Sequence, residues 1–454
     1  MTTQDPKDLT AWGRMVRPGI EVSSTDLARV GATVELGRGL GRSYGDSSLP
    51  ATPRSRVLST LSSDRILAFD ESTGDITVEA GFSLADLARL FLPRGWFTPV
   101  SPGTKFVTVG GMVASDIHGK NHHVRGCFGE AVQAMTLCLA DGRILRCSRT
   151  EEPDLFRATL GGMGLTGLIL DVTFRLERVP SPWIWQQSER VSGIGEFLTR
   201  LADTAAEWPM TVGWIDCVSG GKNLGRGLLM CGRWATAEEA PTAPPPVKKT
   251  FRMPFDLPSF LLNRWTVRVF NALYFRRHPR RMRTGIVHPD SFFYPLDAIH
   301  DWNRLYGKRG LTQYQCVIPR EAGTDAVVRF MDLLVEQGAA SPLCVIKDCG
   351  PEGTGLLSFP RPGVSIAVDM PVRDNTQAVV DRLNEFLIDV GGRIYLTKDG
   401  YTRREHFEAM EAERLPAFHA ARDRWDPERR LRSAMSVRLF GDPVGPATTT
   451  GAGR

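Results

Sequence analysis

Four glycine-bearing loops between positions 37 and 167 constrain this chain more than any other feature. They are Gly39-x-Gly41-x-x-x-Gly45, Pro102-Gly103-Thr104, Val107-Thr108-Val109-Gly110-Gly111 and Gly162-x-Gly164-x-x-Gly167. Backbone stripped of side chains approaches a phosphate closely and leaves N–H groups exposed in a turn or nest. Any one of these loops reads equally well as a tight turn, but four so close together favour a large phosphate-bearing ligand. The last one formally matches a dinucleotide fingerprint, which requires a strand before it and a helix after it. Here the order is reversed, with helix expected over 154–159 and strand over 168–174, so a Rossmann nicotinamide site is not expected.

Directly after Gly110-Gly111 comes Ser115-Asp116-Ile117-His118-Gly119-Lys120-Asn121-His122-His123, with three histidines, a lysine and an acid in nine residues. A metal held by His118, His122 and His123 would need more carboxylate support than Asp116 alone, and no metal is expected. His118 is open to two readings, a chemical group or a histidine that holds the loop. His122 and His123 read as scaffolding.

A chain of 454 residues with 42% hydrophobic composition exceeds one ordinary core, and two domains are expected. A net charge of +5 is too small to imply nucleic acid without a focused patch. Eight cysteines with no C-x-x-C pair and no framework spacing read as reduced thiols. The first residues carry no leader pattern and no apolar run approaches the ~20 residues of a membrane span, so a cytoplasmic protein is expected.

Alternation predicts a strand over 76–80, and helical spacing predicts a helix over 84–91, in a mixed region running from 57 to 180. After Pro180 the pattern changes: Trp183, Trp185 and Trp214 enter, and 241–246 hold four prolines, marking an exposed connection. Two later helices, 324–337 and 375–390, each lead into a strand, at 343–347 and 393–396. Gly391 is placed to stop the second helix. The tail 442–454 is rich in small residues and expected to be disordered.

Taken as ordered motifs, Arg-Gly-Leu-Gly-Arg-Ser-Tyr-Gly-Asp at 38–46, Pro-Gly-Thr and Thr-Val-Gly-Gly within 102–111, Asp-Ile-His-Gly-Lys-Asn-His-His at 116–123 and Gly-Gly-x-Gly-Leu-Thr-Gly at 161–167 resemble the FAD-binding domain of the vanillyl-alcohol-oxidase superfamily. The likeness continues through Gln313-Tyr314-Gln315, Leu357-Ser358-Phe359-Pro360 and Tyr395-Leu396-Thr397-Lys398-Asp399, and covers most of 36–440. It implies an α+β, two-domain fold: an FAD-binding domain over 1–180, a substrate domain over 181–392 built on an antiparallel sheet with helices, and a return segment of the FAD-binding domain over 393–441. The stretch 17–36 is shorter than usual for the family, with little room for the helix that ordinarily precedes the first glycine loop.

Carried over position by position, the flavin contacts implied are Gly37, Arg38, Gly39, Leu40, Gly41, Arg42, Ser43, Tyr44, Gly45, Asp46, Ser47, Gly103, Thr108, Val109, Gly110, Gly111, Ser115, Asp116, Ile117, His118, Ile169 and Tyr395. Related lactone oxidases carry, at the position of Arg42, a histidine bonded covalently to the flavin. Arginine cannot form that bond, so FAD is expected to be non-covalent. Oxidising a secondary alcohol needs a proton acceptor and positive charge near the reduced cofactor. The resemblance implies Lys398 as the active-site lysine, with Tyr44 and His118 as proton relays. Lys120, Gln313, Gln315, Lys347 and Ser365 map to the substrate pocket, where amides suit sugar hydroxyls and lysines suit phosphate. Members of the family carry asparagine, cysteine and an aromatic residue where this chain has Ser365, Ala367 and Cys349.

The branch resembled most oxidises the 2′-hydroxyl of a polyprenylphosphoryl ribose, and a separate short-chain NADH-dependent reductase completes epimerisation to the arabinose form for cell-envelope glycans. Oxidation of a free aldose, alditol or aldonolactone is the alternative within the superfamily, and a non-enzymatic basic surface-binding protein the alternative outside it. Residues 264–283 hold seven arginines, from Arg264 to Arg283, and no acid, interleaved with Trp265, Phe270, Tyr274 and Phe275. That pattern reads as a peripheral membrane-surface element at the inner face of the membrane, each basic residue near an anionic bilayer contributing about 1 kcal/mol.

Overall fold

The structure is a computed structural model that describes residues 5–278, 281–339 and 341–444. The expected tail therefore lies almost wholly outside the described residues, as does Arg280. Two sheets form the amino-terminal region. A four-stranded sheet runs in the order Lys7–Thr10, Val16–Ser23, Arg56–Ser59, Leu36–Arg38, and delivers the first glycine loop at the end of its last strand. A five-stranded antiparallel sheet runs in the order Ile66–Asp70, Asp75–Glu79, Leu168–Arg175, Val132–Cys138, Ile144–Ser148. The helices Leu84–Phe91, Val109–Ala114 and Pro153–Thr159 bury Leu87, Met112 and Phe156 in one core with this sheet, which also receives Phe418, Trp425 and Met435 from the carboxy-terminal helices. The short segment before the first glycine loop does hold a helix, Leu27–Gly31. Five residues suffice because Asp26 caps it, accepting the Arg29 N–H.

After the strand Leu168–Arg175, the chain enters an eight-stranded sheet ordered Met282–Val287, Ile184–Val191, Gly227–Trp234, Met210–Ile215, Cys344–Cys349, Gly363–Pro371, Leu311–Pro319, Arg393–Ile394. Every pairing in it is antiparallel. The helices Ile194–Glu207, Gly323–Glu336 and Thr376–Asp389 cover one face, where Phe197, Phe330 and Leu383 meet Tyr314, Cys316, Ile346 and Val368. Strand side chains alternate between faces. The opposite face therefore carries Gln313, Gln315, Val317, Val345, Lys347, Ser365, Ala367 and Asp369, and it is turned toward the glycine loops.

The helix-to-strand order around Gly162 and Gly164 agrees with the sequence, and Gly391 stops its helix in the left-handed region at φ 69°. The strand expected over 393–396 ends at Ile394 and forms the edge of the eight-stranded sheet rather than part of the amino-terminal sheets. It stops early because the chain turns: the Lys398 N–H donates to the Tyr395 carbonyl. That turn leads the chain back to the FAD-binding region.

Candidate active site

A cavity of about 1040 Å³ lies between the glycine loops and the open face of the eight-stranded sheet. Its floor is backbone. The first glycine loop lines it from Gly37 to Tyr44 and again at Ser47, joined by Gly103, Thr108, Gly111, Ser115, Ile117 and His118. A Cβ at Gly39 would stand 2.3 Å from Thr108 Oγ1, so only glycine lets these two loops close against each other. The Nε atoms of Arg38 and Arg42 are buried without an acceptor, and Arg42 lies over the Trp12 ring at 4.1 Å and the Phe106 ring at 5.4 Å. A groove of exposed peptide groups with two arginines holding unused donors suits a diphosphate-linked cofactor, and the residues fit FAD.

The wall opposite comes from Gln313, Gln315, Lys347 and Ala367 of the sheet and Tyr395, Thr397 and Lys398 of the turn. Lys398 Nζ stands 4.0 Å from the centroid of the Tyr44 ring. The two loops are tied directly, since the Tyr44 N–H donates to the Thr397 carbonyl at 2.9 Å. Gln313 Nε2 donates to the Tyr44 hydroxyl at 3.4 Å, and Gln315 Nε2 to His118 Nε2 at 3.0 Å. Phe359 and Tyr395 stack at a centroid distance of 4.9 Å, and the His118 ring lies against both, at 5.3 and 5.1 Å.

Burial controls the charges here. It lowers the proton affinity of Lys398, an effect that Asp369 opposes and Lys347 reinforces. It holds His118 far below the ordinary histidine range, with Lys347, His122 and Lys398 adding to the effect. Lys120 falls to about 7, through burial and then Lys347, while its Nζ donates to the Phe293 carbonyl at 3.0 Å. The Tyr44 hydroxyl is pushed well up by burial and then by Asp369. Three buried lysines, two amides, a neutral histidine and a tyrosine thus face one space, a set able to bind an anion, hold hydroxyls and accept a proton.

Seven residues expected at the flavin or substrate stand behind the lining, each for a visible reason. Gly45 packs on backbone, its missing Cβ leaving room for the Asp399 carbonyl, and Asp46 is held by Arg438 through two bonds of 2.9 and 2.6 Å. Val109 and Ile169 belong to the apolar core, and Gly110 lies against Ala80. Asp116 turns inward at φ 36°, where it accepts the Gly129 N–H and the Ser358 hydroxyl. Ser365 is buried behind Gln315, whose amide N–H it accepts at 3.4 Å. His122 and His123 also face away: His122 Nδ1 accepts the Gly350 N–H, and His123 Nε2 donates to the Trp208 carbonyl. Asp369 was missed by sequence reading, although the alternation Ser365-x-Ala367-x-Asp369 on a strand paired with Gln313-x-Gln315 was a usable signal.

One part of the cavity lining is apolar. Leu257, Leu261, Val267, Phe270 and Tyr274 form it, the last three from the helix Arg264–Arg276, whose first turn is fixed by a capping box between Asn263 and Thr266. The outer side of this helix exposes Trp265, Val269 and Leu273 by 76%, 61% and 64%, spaced one turn apart.

Glycine cradle, paired arginines and lysine-bearing turn together define an FAD-binding oxidoreductase of the vanillyl-alcohol-oxidase type. Residues 32–148 match the family described as FAD binding domain. The chain is 34% identical to the decaprenylphosphoryl-β-D-ribose oxidase of Mycolicibacterium smegmatis, over 96% of this chain and 99% of that one. It is 36% identical to the L-gulonolactone oxidase of Mus musculus over 25% of each chain. The protein belongs to the decaprenylphosphoryl-β-D-ribose oxidase family and is an FAD-dependent oxidoreductase.

The contact at Gly45 gives the first testable outcome. Gly45→Ala pushes the glycine loop off the Asp399 backbone and lowers stability by about 1–3 kcal/mol, as overpacking does. Thermal unfolding reads that loss, and the flavin-to-protein absorbance ratio falls with it.

Proposed function

We propose that this protein oxidises the 2′-hydroxyl of a polyprenylphosphoryl-β-D-ribose to the 2′-ketone. The observation that carries the reading is the continuity of one cavity, whose lining joins a glycine-loop floor, Lys120, Lys347 and Lys398, and an apolar part formed with the helix Arg264–Arg276. A free aldose or lactone has no use for such an apolar part, whereas a lipid-linked sugar phosphate uses all three regions. The name of the mycobacterial relative supports the same substrate class.

FAD would be held by the first glycine loop, Gly103, Thr108, Gly111, Ser115 and His118, and would supply the two-electron acceptor for the carbinol carbon. With Arg42 in place of a histidine, it is bound without a covalent link. Lys398 Nζ takes the proton of the reacting hydroxyl; its lowered proton affinity leaves more neutral amine near neutrality than an ordinary lysine has. Gln313 and Gln315 orient ribose hydroxyls, and Lys347 and Lys120 face the phosphoryl charge. Tyr44 and His118 line the route by which the proton leaves. The ketone is then a substrate for a short-chain NADH-dependent reductase acting in the same cell-envelope arabinose route.

The membrane side of the proposal rests on the outer surface of the region that holds this helix. Ten of the seventeen large apolar side chains exposed among the described residues lie between 247 and 282, including Phe251, Phe255, Phe260 and Trp265. Arg264, Arg268 and Arg276 accompany them on the helix Arg264–Arg276. Among the described residues no helix is long and apolar enough to cross a membrane. In this reading the exposed apolar and basic surface docks on the cytoplasmic face of the membrane, with the lipid tail remaining in the bilayer.

Three outcomes follow. Under anaerobic conditions, polyprenylphosphoryl ribose bleaches the flavin of the purified protein and free ribose or aldonolactones do not, while Lys398→Met retains yellow flavin without bleaching; bleaching by the free sugars alone would favour the alternative substrate class. Acid precipitation releases the flavin into the supernatant, and flavin retained in the pellet would refute non-covalent binding. Co-sedimentation with anionic vesicles weakens on the order of 100-fold when Arg264, Arg268 and Arg276 become serine, at about 1 kcal/mol each.

A further inference from the structure

Asp369 is fully buried on the strand Gly363–Pro371, one step along the same face from Ala367 and directly opposite Gln313. The Gln313 amide N–H donates to Asp369 Oδ1 and also reaches the Tyr44 hydroxyl at 3.4 Å, while Asp369 Oδ2 is buried without a donor. Lys398 Nζ lies over the Tyr44 ring at 4.0 Å. A carboxylate buried with half its acceptors unused is costly unless a cation compensates it. The charged and titratable groups that face Lys398 are Asp369 and Lys347 from neighbouring strands, Tyr44 from the glycine loop and His118 from the segment after Gly110-Gly111. Burial raises Asp369 to about 7, and the Gln313 amide, the Lys398 charge and the Tyr306 hydroxyl that faces it oppose that rise and favour its carboxylate. Asp399, next in the chain to Lys398, is engaged instead by Arg438 at 2.9 Å. Of the acids near the lysine, Asp369 is thus the one left to balance it, against the opposing charge of Lys347.

We propose that Asp369 is a positioning residue for the oxidation, acting through Gln313, Tyr44 and Lys398: its carboxylate sets the charge of the Lys398 amine and holds the Gln313 amide turned toward Tyr44. Asp369 never meets the substrate. Its charge holds the proton affinity of Lys398 above the level that burial and Lys347 alone would set, and so fixes the share of neutral amine free to take the hydroxyl proton, while Gln313 holds the Tyr44 hydroxyl. This inference rests on the reading of Lys398 as the proton acceptor.

The sign of the effect follows directly. A negative charge near an ammonium favours its protonated form, so removing that charge lowers the proton affinity of Lys398. The chain has only nine lysines, so the holoenzyme labelled with 13C at lysine Cε gives few signals, and Lys398→Arg identifies the one that matters. In Asp369→Asn the titration midpoint of that signal falls by about one pH unit, a shift typical of a lost opposite charge. The rising limb of kcat/KM with pH moves down by the same amount, and Asp369→Glu restores both. Asp369→Ser, uncharged and smaller, gives the same shift should the asparagine variant misfold. An unmoved Lys398 midpoint in the folded variants overturns the assignment, even where kcat falls. A moved midpoint with an unmoved kcat/KM limb upholds the coupling and removes Lys398 as proton acceptor, so the two failures are distinguishable.

Discussion

The site depends on one backbone approach, between the glycine loop at Tyr44-Gly45 and the turn at 395–399. Tyr44 N–H donates to the Thr397 carbonyl, and the absent side chain of Gly45 lets the Asp399 carbonyl sit where a Cβ would be. These contacts join the amino-terminal sheets to the edge of the eight-stranded sheet. Arg438, on the carboxy-terminal helix Ala434–Phe440, locks the junction by pairing with Asp46 on the loop and Asp399 on the turn while donating to the Thr402 carbonyl. Three distant segments of chain therefore have to be in place before Tyr44 and Lys398 face each other. A single guanidinium with a rigid fork of donors suits that task better than a flexible ammonium.

The electrostatic character of the cavity comes from the same arrangement. Packing the open face of a large sheet onto peptide-lined loops removes water from both, and the lysines set into that interface are brought close enough to repel one another. Lys347 weakens the hold on protons of both Lys120 and Lys398. An anion set among them would relieve that repulsion. The apolar part of the lining adds none of this charge and contributes by burying hydrocarbon.

Much of this was legible in the sequence where local rules act alone. The glycine loops, the helix before Gly162, the helix stop at Gly391 and the Tyr395-x-x-Lys398 turn depend on neighbours within a few positions. What escaped depends on pairing across the chain. Asp369 gains its meaning only from lying opposite Gln313, and Ser365 loses its expected contact because Gln315 stands in front of it. Asp116 reads as a flavin contact in the sequence, and its neighbours Ser115, Ile117 and His118 do line the cavity. A local positive φ turns it into the core, where Gly129 and Ser358 satisfy it. The basic stretch was recognised by its arginines, while the apolar side chains of 247–261 carry no periodicity that marks them as one surface. Only the fold sets Leu257 and Leu261 in one cavity lining with Val267, Phe270 and Tyr274 of the helix Arg264–Arg276.

The strand Leu311–Pro319 has a consequence for how such a protein changes. Gln313 and Gln315 face the cavity, and Tyr314, Cys316 and Ile318 are sealed under helices. Because side chains alternate with a period of two, a slip of one residue would exchange the two sets completely, setting amides in oil and a tyrosine over the cavity. The chemistry of this wall is therefore changed by replacing residues in place, whereas a single insertion or deletion in the strand disrupts the cavity and the core in one step.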